Sequence, residues 1–254
     1  MIIHKFPSRD ITIIPIADVH LGARECMEQE FMAFINETAE REDVYYVLCG
    51  DLISNGVKNS VTSVYEETMF PSQQKKMMAK ILEPIREHIL CGVGGNHERR
   101  SSREVDDSPV YDIMAKLDIE HLYRENMAFL KLQFGDRRLK GLKRPTYTAV
   151  VAHGAGGGAL TGAGINKNER FAAYIDGLDL FIAAHTHRPA LTQPGKIRID
   201  TQNNKITIQP FKVVTATSWL NVGGYPLQKL LTPTSHAMQK ITLCGDHKEM
   251  IVTM

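Results

Sequence analysis

Five short apolar runs in this 254-residue chain each stop at a residue able to bind a metal ion. Residues 11–17 end before Asp18, residues 44–49 before Gly50-Asp51, and residues 89–93 before Gly94-Gly95-Asn96-His97. Residues 149–152 run into His153, and residues 180–184 into His185-Thr186-His187. Runs this short and apolar on both faces suit β-strands covered on both sides. Between them the pattern predicts helices over residues 28–42, 73–88, 109–117 and 169–175. Strand alternating with helix implies an α/β fold with a mostly parallel sheet, its ligands gathered on one edge, beyond the carboxyl ends of the strands.

From about Arg188 the texture changes to short alternating runs, 197–199, 205–208 and 239–243, which read as antiparallel strands. Residues 55–72 and 137–148 read as surface loops. No internal repeat or low-complexity linker divides the chain, so residues 1–254 are expected to form one domain. A hydrophobic content of 43% fits a soluble globular protein. No apolar run reaches the roughly 20 residues of a membrane span, and residues 1–10 lack a signal-peptide core, so a cytoplasmic location is expected. Cys26, Cys49, Cys91 and Cys244 show no Cys-x-x-Cys spacing and read as reduced, buried thiols. A net charge of +1 leaves room only for a local polyanion site.

In an extended chain residues i and i+2 point the same way, so Asp18 and His20 can reach one point, as can His185 and His187. With Asp51, Asn96 and His153 they make seven donors, all oxygen or imidazole nitrogen. Seven is too many for one ion. Two ions roughly 3.5–4 Å apart can activate water, orient a phosphoryl group and neutralise its oxygens. Each residue alone has an ordinary structural reading; their joint occurrence at five strand ends is the signal.

Asp18-Val19-His20, Gly50-Asp51, Gly95-Asn96-His97-Glu98, His153-Gly154 and Ala184-His185-Thr186-His187 resemble, in order, the five blocks of the calcineurin-like metallophosphoesterases. The resemblance covers roughly residues 11–190 and implies a four-layer β-sandwich of two mixed sheets flanked by helices, with residues 191–254 completing the second sheet. It implies a dinuclear site and a metal-bridging hydroxide as nucleophile. It also implies the division of ligands: Asp18, His20, Asp51 and His187 on one ion, Asp51, Asn96, His153 and His185 on the other. His97, next to the ligand Asn96, is then the catalytic residue that protonates or hydrogen-bonds the departing oxygen.

The donor chemistry suits manganese first, with iron, zinc or nickel as alternatives. Where the protein serine/threonine phosphatases of the family carry an arginine after the second block, this chain has Asn55, and Asp18-Val19-His20-Leu21-Gly22 is similar to the family's DNA repair nucleases. The expected activity is therefore that of a phosphodiesterase or nuclease on nucleic acid or nucleotides. A phosphomonoesterase acting on protein or small molecules is the alternative. A scaffold that had lost catalysis would lack a ligand or His97, and none is missing.

Arg99 and Arg100 could clamp a phosphate, or be solvated arginines opening a loop. The basic residues between Arg137 and Arg144 read as a solvated face, and Trp219, Leu220 and Tyr225 as core or a subunit contact. Residues 154–159 fit a relaxed dinucleotide fingerprint, with Asp176 at a suitable distance, but residues 160–164 are expected to open no helix, which leaves a loop beside His153.

Overall fold

The computed structural model describes residues 1–58, 60, 64–135, 144–156, 162–223 and 235–254. In chain order the strands are β1 (Ile2–Phe6), β2 (Ile11–Ile16), β3 (Val44–Leu48), β4 (Ile89–Val93), β5 (Tyr123–Arg124), β6 (Met127–Phe134), β7 (Thr146–Ala152), β8 (Leu180–Ala183), β9 (Ala190–Thr192), β10 (Gly195–Asp200), β11 (Lys205–Pro210), β12 (Lys212–Thr215), β13 (Lys240–Leu243) and β14 (Met250–Thr253). The helices are α1 (Glu28–Ala39), α2 (Pro71–Leu82), α3 (Glu98–Val105), α4 (Pro109–Ala115) and α5 (Gly162–Ala172).

These strands build two six-stranded mixed sheets, ordered β14-β13-β2-β3-β4-β5 and β1-β6-β7-β8-β12-β9. The five predicted strands are thus shared between two sheets instead of lining one: β2, β3 and β4 run parallel in the first, β7 and β8 in the second. Strand alternation shows how the layers form. Val151, Ile182 and Val214 join a core that also holds Ile13, Leu48 and Cys91 of the first sheet. Their neighbours Val150, Phe181 and Val213 face the other way, onto Ala172 of α5 and Leu178. Phe31 and Ile35 of α1, Met78 and Leu82 of α2, and Ile113 and Met114 of α4 belong to the larger core, on the first sheet's side. Two faces of burial per strand explain the near-continuous apolar runs.

Several boundaries differ from expectation for local reasons. Helix α2 starts at Pro71, whose fixed φ suits a first turn, and stops at Leu82. Pro84 lacks the N–H an α-helix needs, and Glu83–His88 continue as a 3-10 helix. Helix α5 begins at Gly162, so residues 162–164 do open a helix, while residues 160 and 161 lie outside the described residues. The strands beyond residue 190 do not complete a single sheet. Strands β9 and β12 extend one, β13 and β14 the other, and β10 and β11 form a separate hairpin. Cys49 and Cys91 are buried free thiols, whereas Cys26 and Cys244 are half-buried. No described helix is long and apolar enough to cross a membrane. Residues 137–143, 157–159 and Tyr225 lie outside the described residues.

Candidate active site

The strands end level with one another: Ile16 pairs with Leu48 and Leu48 with Gly92 in one sheet, and Val151 with Ile182 in the other. The segments that follow them converge. Asp18 and His20 donate their backbone N–H groups to the carbonyls of Gly50 and Asp51, at 3.1 and 3.0 Å, which binds the first two segments together. The next crossing is tighter. A Cβ on Gly50 would lie 2.5 Å from the backbone nitrogen of Gly95, and one on Gly95 would lie 2.1 Å from Asp51 Oδ1. Only paired glycines let the β3 and β4 loops approach this closely, and that contact sets Asp51 beside Asn96.

The predicted donors are brought together in two groups. Ligand atoms of Asp18, His20 and His187 lie within 4.8 Å of one another, as do those of Asp51, His153 and His185. His187 Nε2 is 3.4 Å from Asp18 Oδ1, and His20 Nε2 is 3.3 Å from His187 Nε2. In the other group His153 Nε2 is 3.4 Å from Asp51 Oδ2 and 2.9 Å from Asn96 Oδ1. Asp51 Oδ2 also stands 3.8 Å from His20 Nε2 and so faces both groups. The Cys49 carbonyl accepts from His153 Nδ1 at 2.8 Å, which orients the ring and turns Nε2 inward.

The side chains do not converge for the reason the sequence suggests. Asp18, His20, Asp51, His185 and His187 all have left-handed backbones, with φ of 48°, 49°, 51°, 71° and 57°. They are not extended, so i,i+2 alternation does not apply. Left-handed backbone costs a non-glycine residue about 1–2 kcal/mol, and the cost is concentrated where the donors meet.

These residues fit divalent cations. Asp18 Oδ1 is buried without a hydrogen-bond partner, while Oδ2 accepts from the His185 N–H at 2.9 Å. Burial opposes charge on His153, yet the neighbouring Asp51 carboxylate raises its imidazole to about 10, so this pocket favours positive charge beside the carboxylate. Burial holds His20 well below its ordinary value, which keeps it a neutral donor.

His97 stands at the edge of both groups. Its Nδ1 donates to the Ser54 carbonyl at 2.8 Å and its backbone N–H to Asp51 Oδ1 at 2.8 Å. Its Nε2 accepts from Arg100 Nη2 at 2.9 Å. Arg99 and Arg100 lie on the first turn of α3, not on a loop. Arg100 reaches the site, whereas Arg99 turns away to Asn126 Oδ1 at 3.2 Å. Trp219 is core: it packs edge-on against Phe31, with ring centres 5.0 Å apart, and its backbone N–H holds the Asp18 carbonyl at 3.0 Å.

Glu98 and Asn55, which the motifs contain without a role, support the site. Glu98 is buried, and its carboxylate accepts the N–H groups of Asp51, Leu52, Ile53 and Gly95 at 2.8–3.3 Å, tying the β3 loop to the β4 loop. Burial next to Asp51 pushes its carboxyl up to about 7, against the pull of these backbone groups. Asn55, also buried, donates from Nδ2 to the His97 carbonyl at 2.8 Å and to Ser101 Oγ at 2.9 Å. The sign available beforehand was the polarity of both residues inside otherwise apolar or ligand-bearing blocks.

A family model described as calcineurin-like phosphoesterase matches residues 11–189, well over half of the chain. The chain belongs to that family. In this phosphoesterase the matched span opens at β2 and closes two residues past His187, so it contains every donor described above. Over 99 residues the chain is 29% identical to the DNA polymerase II small subunit of Pyrococcus abyssi (strain GE5 / Orsay), covering 34% of this chain and 16% of that protein. The solved structure of the NAD nucleotidase of Haemophilus influenzae matches with a TM-score of 0.46 at 10% identity, covering 96% of this chain and 49% of that one. The phosphoesterase thus spans less than half the length of either protein.

Proposed function

We propose that this phosphoesterase hydrolyses phosphodiesters of nucleic acid or nucleotides with two divalent ions, manganese first. Asp18, His20, Asp51 and His187 hold one ion, and Asp51, Asn96, His153 and His185 hold the other. The observation that carries this reading is the place of Asp51, whose Oδ2 faces His20 of one group and His153 of the other. Such ions supply an acidified water and neutralise charge on the phosphate oxygens.

The chain's own residues do the rest. Glu98 fixes the backbone that presents Asp51. His97 turns Nε2 to the departing oxygen, because Nδ1 donates to Ser54, and Nε2 must take up a proton from solvent once Arg100 leaves it before it can give one to that oxygen. In the arrangement described, the Arg100 guanidinium occupies that Nε2 direction, so an arriving phosphate takes over Arg100 and frees His97. Arginine's planar fork matches a phosphate oxygen pair.

The relative named as a DNA polymerase subunit supports a nucleic-acid or nucleotide ester. Asn55 supports the same choice: it is spent on the His97 carbonyl and Ser101 Oγ at the start of α3 and offers no clamp in place of the phosphatase arginine. One feature favours a phosphomonoesterase instead, namely that Arg100 could balance the extra charge of a terminal phosphate. The test is a manganese-supplemented comparison of a phosphomonoester, a phosphodiester, single-stranded and duplex DNA, RNA and cyclic nucleotides. Faster turnover of diesters supports the proposal, and a clear preference for the monoester overturns it.

A further inference from the structure

The β10–β11 hairpin is an amphipathic ribbon whose apolar face nothing in the same chain covers among the described residues. Ile197 pairs with Ile208 and Ile199 with Ile206, so four isoleucines form a square on one face of the ribbon. They are 70–75% exposed. On the opposite face Lys196, at the base of the ribbon, donates from Nζ to the Ile175 carbonyl and lies 5.4 Å from the centre of the Phe211 ring, while Arg198, Lys205 and Thr207 are exposed, so the ribbon projects from the body with its apolar face uncovered. A hairpin that merely covered the sheet would present its isoleucines inward. The arm is well anchored, since the Phe211 N–H donates to the Pro194 carbonyl at 3.1 Å where β9 passes into β10 and β11 into β12.

From this we infer that the isoleucine face packs against the same face of a second copy of this chain. The square carries no charge, so two copies meet without like-charge repulsion. Cross-strand pairing makes it close to two-fold symmetric in itself, which is what an isologous contact requires. At on the order of 100 Å² per isoleucine, two copies bring about 800 Å² of apolar surface together. That is close to the apolar share of a standard interface of about 1,600 Å². On a lone molecule the same surface is an unprotected β-ribbon open to aggregation.

The hairpin's place leaves catalysis undisturbed. Lys212 pairs with Leu180 and Thr215 with Ala183, and His185 and His187 follow Ala183. The hairpin therefore leaves the sheet at the Lys212 end, the pole opposite the metal-donor cluster, and both sites of a dimer stay open.

The experiment is sedimentation equilibrium of the full chain from low to high micromolar concentration. Wild type is compared with the double variants Ile197→Lys/Ile206→Lys and Ile197→Thr/Ile206→Thr, the second retaining β-branched residues so that the ribbon persists. Circular dichroism and phosphoesterase activity per chain are measured on the same samples. The inference expects a wild-type dimer, at least a tenfold weaker association in both variants, and unchanged spectra and activity. Monomeric wild type throughout the range overturns it, as does a dimer of undiminished affinity in either folded variant. Binding of a monomeric wild type to anionic lipid vesicles, lost in the variants, would assign the face to a membrane surface and equally overturn it.

Discussion

Arg100 and His97 are joined by a 2.9 Å hydrogen bond from the guanidinium Nη2 to the imidazole Nε2, while Arg100 Nη1 reaches the Ser54 carbonyl at 3.3 Å. The same carbonyl accepts from His97 Nδ1, so the two side chains share one anchor. Replacing Arg100 with alanine removes a charge-assisted donor worth about 1.5–3 kcal/mol, and KM for a diester is expected to rise by about 10- to 100-fold. Arg100→Lys, which keeps charge but not the fork, should recover only part of this. Steady-state kinetics decide the matter; an unchanged KM in Arg100→Ala would remove Arg100 from substrate binding.

His97 acts on the leaving group in this account, so the cost of His97→Asn depends on that group. Alkyl esters should lose about 100-fold or more in kcat, within the usual range for a general acid, and nitrophenyl esters much less. Equal losses on both ester types would show that His97 serves the pocket's structure alone.

Asn55 cannot be exchanged for the arginine of the protein phosphatases. Its side chain is buried, its backbone lies at a φ of 48°, and its Nδ2 serves the start of α3. Asn55→Arg places an unpaired charge where there is no room for it and should lower unfolding free energy by about 3 kcal/mol or more. Urea unfolding measures this, and a variant as stable as wild type would show that the site tolerates the family's arginine.

How far the site was legible follows from cases like this one. The five strand ends could be read because burial on both faces forces continuous apolar runs, which make the polar residues that stop them conspicuous. The backbone at Asp18, His20, Asp51, His185 and His187 could not, because Asp and His tolerate left-handed φ values yet are common in every other conformation, and here the crossing segments impose it. The division of strands between two sheets was equally hidden, since Val150 and Val151 look alike in sequence yet face different cores. The start of helix α5 is hidden in the sequence because glycines argue locally against a helix, whereas a Cβ on Gly164 would lie 2.1 Å from the Thr186 side chain, and packing there demands glycine.

His4 gives a pH dependence away from the site. Burial holds its imidazole below the ordinary value, partly offset by a 2.8 Å hydrogen bond to the Leu90 carbonyl. The folded chain therefore takes up this proton less readily than the unfolded one. Stability from neutral His4 is complete above the unfolded value of about 6.5 and is lost as pH falls toward the depressed folded value. Thermal unfolding between about pH 7 and pH 5 should show a smaller loss in His4→Gln than in wild type. Parallel curves for the two proteins would contradict this.

The central claim is that Asp51 joins two metal ions in one hydrolytic site. Elemental analysis of chelator-stripped protein, dialysed against excess manganese, measures it directly when wild type and Asp51→Asn are compared alongside hydrolysis of a diester. The account predicts two ions per wild-type chain. For a folded Asp51→Asn it predicts fewer, with turnover reduced by about three orders of magnitude or more. Two ions and undiminished turnover in that variant would contradict it.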